Sequence, residues 1–234
     1  MNPEPFFLGG SLAPAGLWVS YLRAPIDAVV EVLTGWRTGL GQSIDRSPVT
    51  LAGLPAELEP YESPWSREIL LDCGEWTAYL NNGIDGGDPS SAPIQLCRSL
   101  GVRMITAGHR PLRGSGHGGT HLWVLGPDGV PPLMYRRTID VHAIDGRWRF
   151  ETSGTPLDFE QPARYMARRV RDRFDRPMLI DYLAAAGVRA DDPGFHRPGQ
   201  LIHQRTDRPA RRESASQVRA RFGWPEPPGP NSAT

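Results

Sequence analysis

The stretch 133-LMYRRTIDVHAIDGRWRFETSG-154 decides the fold. Asp145-Gly146 stands between two runs in which apolar and polar residues alternate. Asp-Gly is among the few dipeptides that tolerate the left-handed backbone demanded at both central positions of a two-residue hairpin turn. Fixing the turn fixes every cross-strand pair. Ala143 falls opposite Trp148, Val141 opposite Phe150 and Ile139 opposite Thr152, so one face is apolar. The other face carries Arg136, Thr138, Asp140 and His142 against Arg149, Glu151 and Ser153. A half-buried antiparallel ribbon needs that separation, because a slip of one residue would exchange the two faces.

Upstream, "VRMITA" reads as a strand, and "REILLD" and "EWTAYLN" as two strands joined near Asp72–Gly74. Between them and "VRMITA" lies "NNGIDGGDPSSAPIQLCRSLG", a Gly/Asp-rich loop followed by a helix. Ile94, Cys97 and Leu100 share one face of that helix, which Gly101 stops. The loop offers Asn81, Asn82, Asp85 and Asp88 as oxygen donors. The two aspartates would repel a phosphate, and a calcium loop needs more ligands ending in a bidentate Glu. Its reading is structural: glycines turn the chain, and Asp88 or Ser90–Ser91 caps the helix with Pro89 or Pro93 in its first turn.

Nearer the start, Leu17–Leu22 reads as a strand. A helix follows with Ile26, Val29, Val30 and Leu33 at i, i+3, i+4, i+7. Two strand-then-helix units, 17–33 and 76–100, give a loose internal duplication. Residues 38–66 are turn-rich and carry no clear pattern. Two helices are expected after the hairpin, 163–174 with Met166, Val170 and Phe174 as its seam, and 177–186 with Leu179, Tyr182, Leu183 and Ala186. Strands that come in adjacent runs, not in strict alternation with helices, predict an α+β fold with a mainly antiparallel sheet and flanking helices. The expected organisation is a flexible segment 1–16, one α+β domain 17–189, and an extended or disordered Arg/Pro-rich tail 190–234.

The composition limits the chemistry. In 234 residues all 26 Lys+Arg positions are arginine. Guanidinium stays protonated and cannot form a Schiff base. A Walker phosphate loop and a kinase site both place a lysine on the phosphates, so their standard forms are excluded. Formal net charge is zero, so no whole-molecule field draws the chain to nucleic acid or membrane. No apolar run reaches the roughly 18 residues of a membrane span, and the N-terminus lacks the basic start of a secretory signal. A soluble, cytoplasmic bacterial protein is expected, and GC-rich codon usage accounts for arginine without lysine. Cys73 and Cys97 read as small buried residues, and Trp76, Trp123 and Trp148 as core.

Site candidates follow from these placements. Asp140 opposite Glu151 sets two like charges across a strand pair, with His142 and Arg149 beside them. That set is the candidate for acid–base catalysis or a metal of unstated identity. The bland alternative is a solvated outer face. His109, His117 and His121 bracket a glycine-rich loop and read as exposed loop histidines, since no HExxH motif accompanies them. No motif calls for a cofactor.

Arg164, Arg168, Arg169, Arg171, Arg173 and Arg176 crowd the expected 163–174 helix, with Asp172 and Asp175 interleaved. The tail adds Arg197, Arg205, Arg208, Arg211, Arg212, Arg219 and Arg221 against Asp207 and Glu213, with Phe222 and Trp224 as anchors. Arg168, Arg171, Arg211, Arg212, Arg219 and Trp224 are the partner-binding candidates. The leading expectation is a non-catalytic protein-interaction module, immunity-type or accessory, with an unknown macromolecular partner and no membrane. One alternative is a hydrolase or metal-dependent enzyme using Asp140, His142, Glu151 and Arg149. Another is a nucleic-acid-associated protein using the Arg-rich helix and tail.

Overall fold

The computed structural model describes residues 6–10, 12–87, 90–112, 118–205 and 209–224. Strands β1 (Trp18–Leu22), β2 (Ser43–Val49), β4 (Arg67–Cys73), β5 (Trp76–Asn81), β6 (Met104–Arg110), β7 (Gly118–Val130), β8 (Tyr135–Ile144), β9 (Arg147–Gly154) and β10 (Arg197–Arg205) form one nine-stranded sheet. Its order is β2-β10-β4-β5-β1-β6-β7-β8-β9, and every neighbouring pair is antiparallel. A separate pair joins β3 (Tyr61–Ser63) to β11 (Arg211–Glu213). With five α-helices against this sheet the fold is α+β, as the adjacent strand runs predict.

The β8–β9 hairpin has the register that its turn demands. Asp145 (φ 51°) and Gly146 (φ 72°) are both left-handed, the geometry whose twist matches that of the flanking strands. Ala143 pairs with Trp148, Val141 with Phe150, Asp140 with Glu151 and His142 with Arg149. Ile139, Val141 and Ala143 are buried, while Arg149 and Glu151 on the other face are exposed.

Helices cover both faces of the sheet. On one, α1 (Ile26–Gly39) and α3 (Ser91–Leu100) bury Val29, Val30, Leu33, Leu96 and Cys97 against Leu70, Tyr79, Met104 and Ile202. The α1 stripe runs a turn beyond its aliphatics because Arg37 continues it. The Arg37 guanidinium meets the fully buried Glu68 carboxylate through Nε (2.9 Å) and Nη2 (2.6 Å). Tyr79 Oη and Gln204 Nε2 donate to the same carboxylate. A buried charge is tolerable only when its lone pairs are filled in this way. The opposite face is packed by α2 (Leu54–Leu58), α4 (Arg176–Ala185), α5 (Ala215–Phe222) and the chain before β1.

Three expectations are corrected. Residues 6–10 and 12–16 are not a loose leader: Phe6, Phe7, Leu12 and Ala15 are buried in the core, and Leu8 N–H donates to Ala190 O. The extended tail expected from 190 does not describe 190–205 or 209–224. Strand β10 lies inside the sheet between β2 and β4, and α5 docks through Val218 and Phe222. Arg197–Arg205 holds only two aliphatics, Leu201 and Ile202. Its place is set by Gln204 joining the Glu68 cluster and by Gly199, whose missing Cβ leaves room for the Leu70 carbonyl. The part of the expected tail after 224 lies outside the described residues. Finally, the helix expected over 163–174 is two short 3-10 turns, Pro162–Met166 and Val170–Asp172. The Met166 seam is absent, with that side chain 83% exposed.

Candidate functional site

Beyond α3, the face of β7–β9 that carries Asp140 and His142 opens to solvent. One cross-strand row runs over it. Trp18 pairs with Gly108, Gly108 with His121, His121 with Asp140 and Asp140 with Glu151, crossing β1, β6, β7, β8 and β9. Directly opposed side chains share a face, so the row brings together residues up to 133 positions apart, Trp18 to Glu151.

Gly108 shapes this row. A Cβ there would lie 2.5 Å from Trp18 Cε3. Without it the Trp18 indole leans across β6 and reaches β7, with centroid distances of 4.8 Å to His121 and 5.1 Å to Trp123. Gly119 does the same for His121, since its Cβ would stand 2.6 Å from His121 Nε2. His142 lies parallel to His121 at 6.3 Å, and Tyr135 meets Trp123 edge-on at 6.1 Å. The result is a half-buried array of two tryptophans, two histidines and a tyrosine on a sheet face.

Asp140 organises the array. Its Oδ1 accepts from His121 Nδ1 (2.7 Å) and from Trp123 Nε1 (2.8 Å). Burial and the Asp140 carboxylate raise the Tyr135 hydroxyl pKa above its ordinary value. Asp140 and Glu151 are opposed as the hairpin register requires, yet the donors that satisfy Asp140 come from β7, not from Arg149. Arg149 and Glu151 remain at the exposed margin. Among the described residues no group of three or more His, Cys, Asp or Glu side chains is placed to hold a metal ion.

Next to His121 is a cavity of about 220 Å³, lined by Trp18, His109, Arg110, Gly119, His121 and His142 among others. Its lining holds no carboxylate among the described residues. His109 is not the exposed loop residue expected from sequence. It belongs to β6 and is 9% exposed. Its Nδ1 lies 2.9 Å from Thr120 Oγ1, while Nε2 is buried with no hydrogen-bond partner. Burial, with Arg176 and His121 nearby, pushes its pKa down to about 4. Arg110 stacks over Phe222 at 4.3 Å and makes no hydrogen bond or ion pair among the described residues. Burial lowers its pKa, opposed by Asp85 and reinforced by Arg221.

The remaining candidates are dispersed. Arg171 pairs with Asp172, Arg211 with Glu213 and Arg212 with Glu62. Arg168 is exposed, and Arg219 lies near Tyr61. Trp224, expected as an external anchor, is buried against Phe222. Arg171, Arg211 and Arg212 thus each meet an acidic side chain within the fold.

The Gly/Asp loop is structural where it is described. Asn81 Oδ1 accepts Gly83 N–H, Asn82 Oδ1 accepts Ser66 and Arg67 N–H, and Asp85 takes Arg221. Asp88, Pro89 and His117 lie outside the described residues. Cys73 and Cys97 are buried, and burial pushes their thiols up to about 12 and about 11, which makes them poor nucleophiles. Trp76 is core, whereas Trp123 is half-buried on the open face.

Trp18 and His121 were not singled out from sequence as site residues. The His-x-Trp step at 121–123 does put two rings on one face of β7. The register that joins them to Asp140 and Trp18 depends on pairings between strands that no local signal encodes. No family model, curated protein or solved structure matches this chain.

Proposed function

We propose that this chain is a non-catalytic recognition protein whose open β7–β9 face binds a protein partner. One observation carries the reading: partly exposed Trp18, Trp123, Tyr135, His121 and His142 sit together on the part of the sheet face that lies beyond α3. Clustered Trp and Tyr with Arg at the margin is the composition of binding hot spots. Arg147 and Arg149 lie at the exposed margin of this face with no ion-pair partner among the described residues.

The test is capture from native cells by the full chain, by Arg149→Glu and Trp123→Ser variants, and by Arg46→Glu on the far edge strand β2 as a control. The reading expects one protein retained by the wild type and the control and lost by both face variants. Equal capture by all four, or none by the wild type, rejects it.

A second reading rests on the His121–Asp140 hydrogen bond. A histidine oriented by a carboxylate, with Nε2 beside a cavity, is the arrangement of a general base. No serine, threonine or cysteine lines that cavity among the described residues, so water would be the nucleophile. Hydrolysis of ester or phosphoester test substrates that disappears in His121→Gln would favour this reading over the first.

A further inference from the structure

Strand β9 closes one end of the nine-stranded sheet and pairs only with β8. Its eight residues, Arg147–Gly154, run in unbroken register without proline or bulge. The edge strand at the far end, β2, is guarded: it contains Pro48, and its Asp45 is held by Arg205 of the neighbouring β10. Native sheets blunt their edges with prolines, bulges and inward-pointing charges, because an open edge is a template for another strand. The core side of β9 carries no charge, only Trp148, Phe150 and Thr152.

The turn decides which backbone groups of β9 are free. With Asp145 (φ 51°) and Gly146 (φ 72°) both left-handed, Ile144 and Arg147 form the hydrogen-bonded pair that closes a two-residue hairpin. Bonded and non-bonded pairs then alternate along the ladder. Arg147, Arg149, Glu151 and Ser153 direct their amides and carbonyls to β8, while those of Trp148, Phe150 and Thr152 point outward. Among the described residues no other part of the fold bonds the backbone of these three.

The side chains carry a matching pattern. Arg149 and Glu151 are exposed, and neither makes an ion pair among the described residues. Glu151 also stands opposite Asp140, an unfavourable like-charge pair that a nearby cation would relieve. Two copies of β9 laid antiparallel about a two-fold axis at Phe150 set Arg149 of each opposite Glu151 of the other, and Trp148 opposite Thr152. An axis at Arg149 or at Glu151 would instead set like charges face to face.

We infer that this chain forms a two-fold homodimer in which β9 pairs antiparallel with β9 of a second copy, centred on Phe150. The outward groups of Trp148, Phe150 and Thr152 then form about six interchain hydrogen bonds, and the Arg149–Glu151 contacts fall at non-bonded positions, where side chains approach most closely. The axis stands normal to the sheet, so the two sheets continue as one and their open faces lie side by side. The dimer uses the strand edge and not the aromatic array, so it stands apart from the partner reading.

Sedimentation equilibrium of the full chain tests the dimer. One strand pair is a small interface, so a reversible dimer with a Kd of about 1–100 µM is expected. Arg149→Glu and Glu151→Arg should each weaken it about tenfold or more, because each sets like charges at both contacts. An equimolar mixture of the two variants should recover the dimer, since opposite charges then meet at both contacts again; misfolding of either variant would not be repaired by mixing. Hydrogen exchange at the Trp148, Phe150 and Thr152 amides should slow as the wild-type concentration rises. Thr152→Pro removes an outward N–H, leaves the bonds to β8 whole and should abolish that slowing. A wild type that is monomeric throughout that concentration range, a dimer indifferent to Arg149→Glu, or variants that associate no better mixed than apart, overturns the inference.

Discussion

Acid should destabilise this protein through His109. Its folded pKa of about 4 lies below the ordinary value of 6.5. Above that ordinary value the imidazole is neutral in both states and contributes nothing to the pH dependence. Below it the unfolded chain takes up a proton that the folded chain refuses, so stability falls as pH drops toward the folded pKa and then levels off. The loss is about 2 kcal/mol at about pH 5 and about 3 kcal/mol once both states are protonated. At this chain length that corresponds to a thermal midpoint lower by roughly 4–8 °C at about pH 5.

The assay compares thermal or urea unfolding of wild type and His109→Gln near neutrality and at about pH 5. Glutamine keeps a neutral, hydrogen-bonding side chain beside Thr120. It should be less stable than wild type near neutrality, while losing less on acidification. His196, whose pKa is also lowered, chiefly by burial, contributes alike to both proteins and cancels in the difference. Equal acid sensitivity in the two proteins would refute the argument and place His109 in a wetter site than its burial implies.

Gly108→Ala should displace the Trp18 ring, because the new Cβ meets Cε3 at 2.5 Å. The expected signature is a changed Trp18–Trp123 contribution to circular dichroism, with a cost of about 1–3 kcal/mol in urea unfolding; an unchanged spectrum would mean that Trp18 does not lie across β6. Arg37→Met strands the fully buried Glu68 carboxylate and should cost about 3–5 kcal/mol. Part of that should return in the double variant with Glu68→Leu, and additivity of the two single losses would show that the pair is not coupled.

What was legible in the sequence was local. Asp145-Gly146 fixes a hairpin because two left-handed residues and strict alternation act on the same few bonds, and the observed pairs follow. The stripes of α1, α3 and α4 were legible because burial on one side is written at helical spacing. Strand β10 was hidden because its inward positions include Gly199 and Gln204, suited to a neighbouring carbonyl and a buried carboxylate that belong to β4. The leader is hard to read for a related reason. Proline and glycine around Phe6–Leu12 suggest looseness, whereas the apolar side chains between them complete a core made elsewhere. The site falls between these cases: Asp140 and His142 were visible from the hairpin, but their ring neighbours come from β1 and β7, and only the assembled sheet brings them together.

The insertion of β10 between β2 and β4 has a consequence for synthesis. Gln204 reaches Glu68 across 136 residues and Arg205 reaches Asp45 across 160. While the chain is emerging from the ribosome, β4 presents an unfilled strand slot and the Glu68 carboxylate lacks one of its donors. Closure must await residues 197–205, so the nascent chain carries an open sheet edge for most of its translation, and slow, late-committing folding is expected of so non-local a pairing.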